Sequence, residues 1–135
     1  DDTLIIAGKM HGAGSGNIYD EKTIKDFIDA GADVVLIPAP GTVPGFDLTL
    51  AKNIITMIHE NGALAMTTIG TSQEGASKSV IEQIALNSKM AGADIQHIGD
   101  CGTFGMALPE NIMSLSVTIR GIRHTYRRMA QSILR

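Results

Sequence analysis

The sequence predicts the (βα)4 half of a TIM-type (β/α)8 barrel, an α/β fold with parallel strands in sequential order. Three observations lead there. Apolar runs that read as strands begin near Thr3, Asp33, Ala63 and Asp94, a spacing of 30, 30 and 31 residues. The phrase Ala-Gly-Ala-Asp stands at 30–33 and again at 91–94, each time between a helical pattern and an apolar run, with Asn61-Gly62-Ala63-Leu64 as a weaker version. Every glycine-rich or polar stretch follows a strand, the end at which a barrel carries its chemistry. An open doubly wound sheet accepts the same alternation, but the even period favours the barrel.

The elements follow in order. The first strand, Thr3 to Gly8, is a short apolar run of the kind buried on both faces of a parallel sheet. Three glycines between Lys9 and Asn17 make the next stretch a loop. Asp20 begins a helix whose buried stripe is Ile24, Phe27 and Ile28, and Gly31 ends it in the left-handed conformation that glycine adopts cheaply. The second strand is Asp33 to Ile37. Pro38, Pro40 and Pro44 keep the following loop out of helical geometry. Asp47 is placed to cap the second helix, with Leu50, Ile54, Ile55 and Ile58 on its inner face. The third strand runs from Ala63 to Ile69. Ser77 then caps a helix that buries Val80, Ile81, Ile84, Ala85 and Met90 before Gly92. The fourth strand is Asp94 to Ile98. Pro109 suits the first position of the last helix, whose apolar residues from Ile112 to Ile133 step by 3 and 4, as one helix or two broken near Gly121.

The whole chain sets further bounds. Its 135 residues predict a single half-barrel domain over 1–135, and the absence of an initiator methionine suggests a piece of a longer protein. No apolar run reaches the roughly 20 residues of a membrane span, and no basic stretch precedes the first apolar one as in a signal peptide. A net charge of −3 and 4% aromatic residues argue against a nucleic-acid partner, so the arginines of the last helix read as a solvated face. Cys101 is the single cysteine and reads as a small buried thiol; with no export signal, a reducing cytoplasm is the expected compartment.

Several long segments carry a resemblance. They are Ala7-Gly8-Lys9-Met10-His11, Ala30-Gly31-Ala32-Asp33, the stretch from Pro38 to Gly45, that from Ile69 to Ala76, His97-Ile98-Gly99-Asp100, and that from Ile119 to Tyr126. Together the chain resembles the C-terminal half of a bacterial (β/α)8-barrel family of about 300 residues, an ordinary barrel length. Members of that family often carry the label haloacid dehalogenase-like hydrolase. The resemblance implies that the four strands are the fifth to eighth of a barrel. It brings no activity, and the Asp-x-Asp nucleophile pair that such hydrolases need after a first strand is missing here.

Catalytic groups of a barrel come from the C-terminal ends of its strands. That rule selects Lys9, His97 and Asp100 as catalytic candidates, with Thr67 and Thr68 nearby. A lysine at a strand end can form a Schiff base with a carbonyl substrate, or pair with a phosphate or carboxylate. His97 suits acid–base work by its near-neutral pKa, or is held by neighbouring backbone. Asp100 can orient a base, hold a metal or bind hydroxyls. Gly70, Thr71 and Ser72, with Gly99 and Gly102, follow the last two strands, where barrel loops often hold a substrate phosphate on backbone amides. Glu74 and His11 join this binding set, although Glu74 also fits the first turn of a helix. His11, Glu74, His97 and Asp100 have no local metal-ligand spacing, so no metal site is assigned and no cofactor is required. The expected function is that of a lyase (aldolase-like) or isomerase of a small phosphorylated or carboxylated metabolite. The rival is a non-catalytic ligand-binding or assembly module. An open inner face, taken to include Ile5, Ala7 and Ala65, predicts a homo-oligomer that completes the barrel.

Overall fold

The computed structural model describes residues 3–9, 20–99 and 106–131. Among these, four strands form one parallel sheet in the order β1-β2-β3-β4: Ile6–Gly8, Val34–Pro38, Leu64–Ile69 and Ile95–Ile98. Four α-helices alternate with them: α1 Glu21–Asp29, α2 Leu48–Glu60, α3 Lys78–Ala91 and α4 Pro109–Ala130. A 3-10 turn, Gln73–Gly75, lies between β3 and α3. This is the topology of a (βα)4 half-barrel, as the 30-residue period predicts.

Local chemistry sets the helix ends. The Asp20 carboxylate accepts from the Lys22 amide and the Asp47 carboxylate from the Leu50 amide, each satisfying an orphan donor of a first turn. Ser77 precedes α3 but makes no side-chain cap. Gly31 and Gly92 both have φ +100, a backbone that a Cβ would strain, and each stops its helix before the next strand.

Strand alternation sorts the sheet into two faces. Val35, Ile37 and Ala65 join Ile24 of α1 and Ala51, Ile54, Ile55 and Ile58 of α2 in one apolar cluster. Ile69 and the partly buried Ile98 meet Ile81, Ile84 and Ala85 of α3 and Leu115 of α4 in a second. All these strand residues point to the same side, so the helices cover one face. The other face carries three rows set by the strand register: Ile6, Val34 and Leu64; then Gly8, Leu36, Met66 and Ile95; then Pro38, Thr68 and His97 at the C-terminal end.

Several expectations are corrected by this register. Ala65 is fully buried on the helix side, and Ala7 and Val35 are its companions in the register. The open face instead presents Ile6 and Leu64, which are 47% and 45% exposed. The first strand is therefore not buried on both faces, since it is an edge with its open side uncovered. Val80 and Met90 are exposed, because α3 turns only its Ile81, Ile84, Ala85, Ser88 and Ala91 stripe inward. In α4, Ile112, Ile122, Tyr126 and Met129 are exposed. The helix breaks at Gly121, whose φ 80 and ψ 160 are non-helical. Ser116 Oγ and Thr125 Oγ1 lie 3.0 Å apart, whereas nine residues of unbroken helix would separate them by about 13 Å. The second segment thus folds back on the first.

Candidate functional site

The C-terminal ends of β2, β3 and β4 are knitted together before any ligand is considered. Thr71 Oγ1 lies 2.6 Å from the Gly70 carbonyl oxygen, 2.9 Å from Gln73 Oε1 and 3.4 Å from the Thr42 carbonyl oxygen, three acceptors for its one hydrogen. The Ala39 amide donates to the Thr68 carbonyl, and the Gly99 amide to the Ile69 carbonyl. A Cβ at Gly70 would stand 3.2 Å from the Gly99 carbonyl oxygen, so glycine is what lets these two loops approach. Thr71 and Ser72 both adopt positive φ, 58 and 71, which is costly for residues with a Cβ. Their amides donate no hydrogen bond among the described residues.

His97 occupies the last row of the open face, level with Thr68 and Pro38. It is exposed, and its ring has no hydrogen-bond partner among the described residues. The backbone-held histidine of the sequence reading is thus not seen among them. Thr68 shares that face and donates to the Ile37 carbonyl. Thr67 is turned the other way, 1% exposed beneath the helices. Lys9 follows Gly8 on the opposite edge of the sheet, partly buried and without an ion pair among the described residues. Two strands separate it from His97 within one chain. His11, Asp100, Cys101 and Gly102 lie outside the described residues.

Glu74 differs from the sequence reading. It belongs to the 3-10 turn rather than the first turn of α3, which starts at Lys78. It is only 8% exposed, and its Oε2 has no partner among the described residues. Asn111 holds this turn from α4: its Nδ2 donates to the carbonyls of Glu74 and Ala76 at 2.8 and 3.0 Å. Sequence reasoning passed over Asn111, which is polar yet sits on the α4 stripe that faces α3. An asparagine at an inward helix position was the available signal.

No group of three or more His, Cys, Asp or Glu side chains among the described residues could hold a metal ion. No helix among them is long and apolar enough to cross a membrane. A pocket of about 300 Å³ lies between the β2–α2 loop and α3, lined by Pro40, Gly41, Val43, Phe46 and Leu48 among others, and none of the candidate site residues contributes to it.

A family model described as Domain of unknown function (DUF7916) matches the chain over residues 1–135. No curated protein matches it.

Proposed function

We propose, on the premise that the chain belongs to the DUF7916 family, that it is half of a barrel enzyme acting on a small phosphorylated or carboxylated metabolite. The coarse part of this is the fold: four parallel strands in order, alternating with helices, are the architecture of TIM-barrel enzymes in general. The reaction goes beyond it. Lyase (aldolase-like) or isomerase chemistry is the reading we adopt, with His97 as acid or base, Asp100 orienting it or binding a hydroxyl, and Lys9 as amine nucleophile or charge partner. The observation that carries it is the position of His97: a histidine ring without a partner among the described residues, in the last row of the face opposite the helices. The amides of Thr71 and Ser72 beside Gly70, without an acceptor among the described residues, support phosphate binding, with Gly99, Gly102 and His11 as further members of that set.

In this reading residues 1–135 are one half-barrel unit, the C-terminal half in a longer protein, working in a reducing cytoplasm. The partners are a small ligand and a second copy of the chain.

One observation favours the second reading, a non-catalytic ligand-binding module. Within one chain Lys9 and His97 sit at opposite edges of the sheet, so catalysis that uses both needs a closed barrel. A screen of phosphorylated and carboxylated metabolites for turnover separates the two. The enzyme reading expects turnover that Lys9→Ala, His97→Ala and Asp100→Ala each lower by a hundredfold or more, the usual weight of a general acid or base. Saturable binding without turnover would establish the binding module instead.

A further inference from the structure

We propose that, for the 135-residue chain standing by itself, a second copy covers the open face of the sheet, the place that the first four strands take in a longer barrel protein, with α4 of each protomer lying beside α1 of the other. This deepens the partner named above but is independent of the chemistry assigned to the site.

Among the described residues the sheet has β1 and β4 as its two unpaired edges. A two-fold axis parallel to the strands sets β4 of each protomer beside β1 of the other and keeps all eight strands parallel. Eight is the strand number at which side chains alone fill a barrel interior. The rows available for this are apolar where filling is needed: Ile6, Leu36, Leu64, Met66 and Ile95. The half-exposed Ile6 and Leu64 lie in the row farthest from His97, so closure would bury apolar surface at one end and leave the polar row at the mouth.

The flanking helices favour the same chain as the occupant. When β4 pairs with β1 of the partner, the helices that follow those strands become neighbours. Asp20 and α1 carry four carboxylates, Asp20, Glu21, Asp26 and Asp29, against Lys22 and Lys25, a net charge of −2. Both lysines are already engaged within α1, by Asp26 at 2.8 Å and Asp29 at 3.0 Å. Helix α4 carries Arg120, Arg123, Arg127 and Arg128 against Glu110, a net charge of +3. All four arginines are exposed, and none makes an ion pair among the described residues. Beyond Gly121 the same segment exposes Ile122, Tyr126 and Met129, spaced by 4 and 3 along one side of the helix. One flank of the half-barrel is thus acidic and the other basic with an apolar stripe, so two copies are complementary twice over. Closure also sets Lys9 of one protomer beside the strand that carries His97 of the other, the juxtaposition that a single chain lacks.

Sedimentation equilibrium on the 135-residue chain tests this. The expected result is twice the 14.3 kDa chain mass at micromolar concentration. Leu64→Glu, at a half-exposed position, is expected to give a monomer with unchanged circular dichroism. Arg123→Glu/Arg127→Glu and Glu21→Lys/Asp26→Lys should each weaken self-association by about tenfold or more, while a mixture of the two variants recovers it, because both helix contacts are then again between opposite charges. A wild-type monomer overturns the proposal. So does a dimer that survives Leu64→Glu and both charge reversals, since it would use another face. A dimer without turnover leaves the interface standing and removes only the enzymatic reading.

Discussion

Asp94 Oδ2 lies 2.7 Å from Nε2 of His59 and accepts the amide hydrogen of Ala65 at 2.8 Å. One carboxylate at the entry to β4 therefore ties β3 to the last turn of α2. Asp33 does the same work two repeats earlier, at the entry to β2, where its Oδ2 accepts from the Ile5 amide at 2.9 Å. The Ala-Gly-Ala-Asp phrase is thus a structural device. The glycine ends a helix, and the aspartate fastens the next strand to the strand before it. Burial by itself would raise the Asp94 carboxyl. The Ala65 amide and the His59 ring, through hydrogen bonds and charge, outweigh it and hold the group below its ordinary value. A carboxyl whose pKa is lower when folded binds fewer protons in the native state. Its contribution is complete above the unfolded value, near pH 4, and is lost as pH falls through the folded one. Urea unfolding of the wild type is therefore expected to weaken below about pH 4, with Asp94→Asn showing a shallower loss over that window. At neutral pH Asp94→Ala should cost roughly 1.5–3 kcal/mol, the range for hydrogen bonds to a charged group. Equal acid sensitivity in Asp94→Asn and wild type would remove this role.

The period and the two Asp phrases were enough to place all four strands, because the same local instructions recur along the chain: an amphipathic helix, a glycine stop, an apolar run. What the residues could not show was parity. A parallel strand is apolar on both sides, so Ala65 and Leu64 look alike in sequence, and only pairing with Val35 and Val34 decides which of them meets the helices. Helix boundaries were legible where a side chain acts on its own backbone, as at Asp47, and less so at Glu74, which fits a helix start but sits in a separate turn. Of the candidate site, the position of His97 at a strand end was legible. The tether from Asn111 was not, since it spans 37 residues.

Gly121 governs the direction of the last segment. Its φ 80 and ψ 160 lie in a region that a side chain disfavours. Alanine there, a good helix former, is expected to straighten α4. Spin labels at positions 112 and 129, with Cys101 replaced by serine, should then move to about 25 Å apart, the rise of 17 helical residues. The Ser116–Thr125 contact at 3.0 Å would be lost with it. An inter-label distance unchanged by Gly121→Ala would show that packing rather than the glycine sets the fold-back.

The β3–α3 loop should bind anions if phosphate recognition resides there. The amides of Thr71 and Ser72 donate no hydrogen bond among the described residues, and Gly70 allows a close approach to the Gly99 carbonyl. Titration with inorganic phosphate at millimolar concentration is expected to shift the amide resonances of residues 70–72 and leave those of α1 unmoved. Gly70→Ala, which would press on the Gly99 carbonyl, should weaken the effect. Absence of any shift at the three amides would end the phosphate reading.

Adjacent residues of β3 give the sharpest test of the two faces. Leu64 is 45% exposed on the open side, while Ala65 is fully enclosed among Ile54, Ile55 and Ile58. Glutamate at 64 keeps its charge in water and leaves the helix-side core intact. Glutamate at 65 would put a longer side chain and an unpaired charge into a filled apolar cluster, where each effect alone costs several kcal/mol. Against the roughly 5–15 kcal/mol that holds a domain together, the second change is expected to unfold the chain and the first to leave it folded with a cooperative melt. Thermal melts followed by circular dichroism distinguish them directly. The reverse order of damage would mean that the open face, and not the helix side, is the buried one, and the half-barrel register would fall with it.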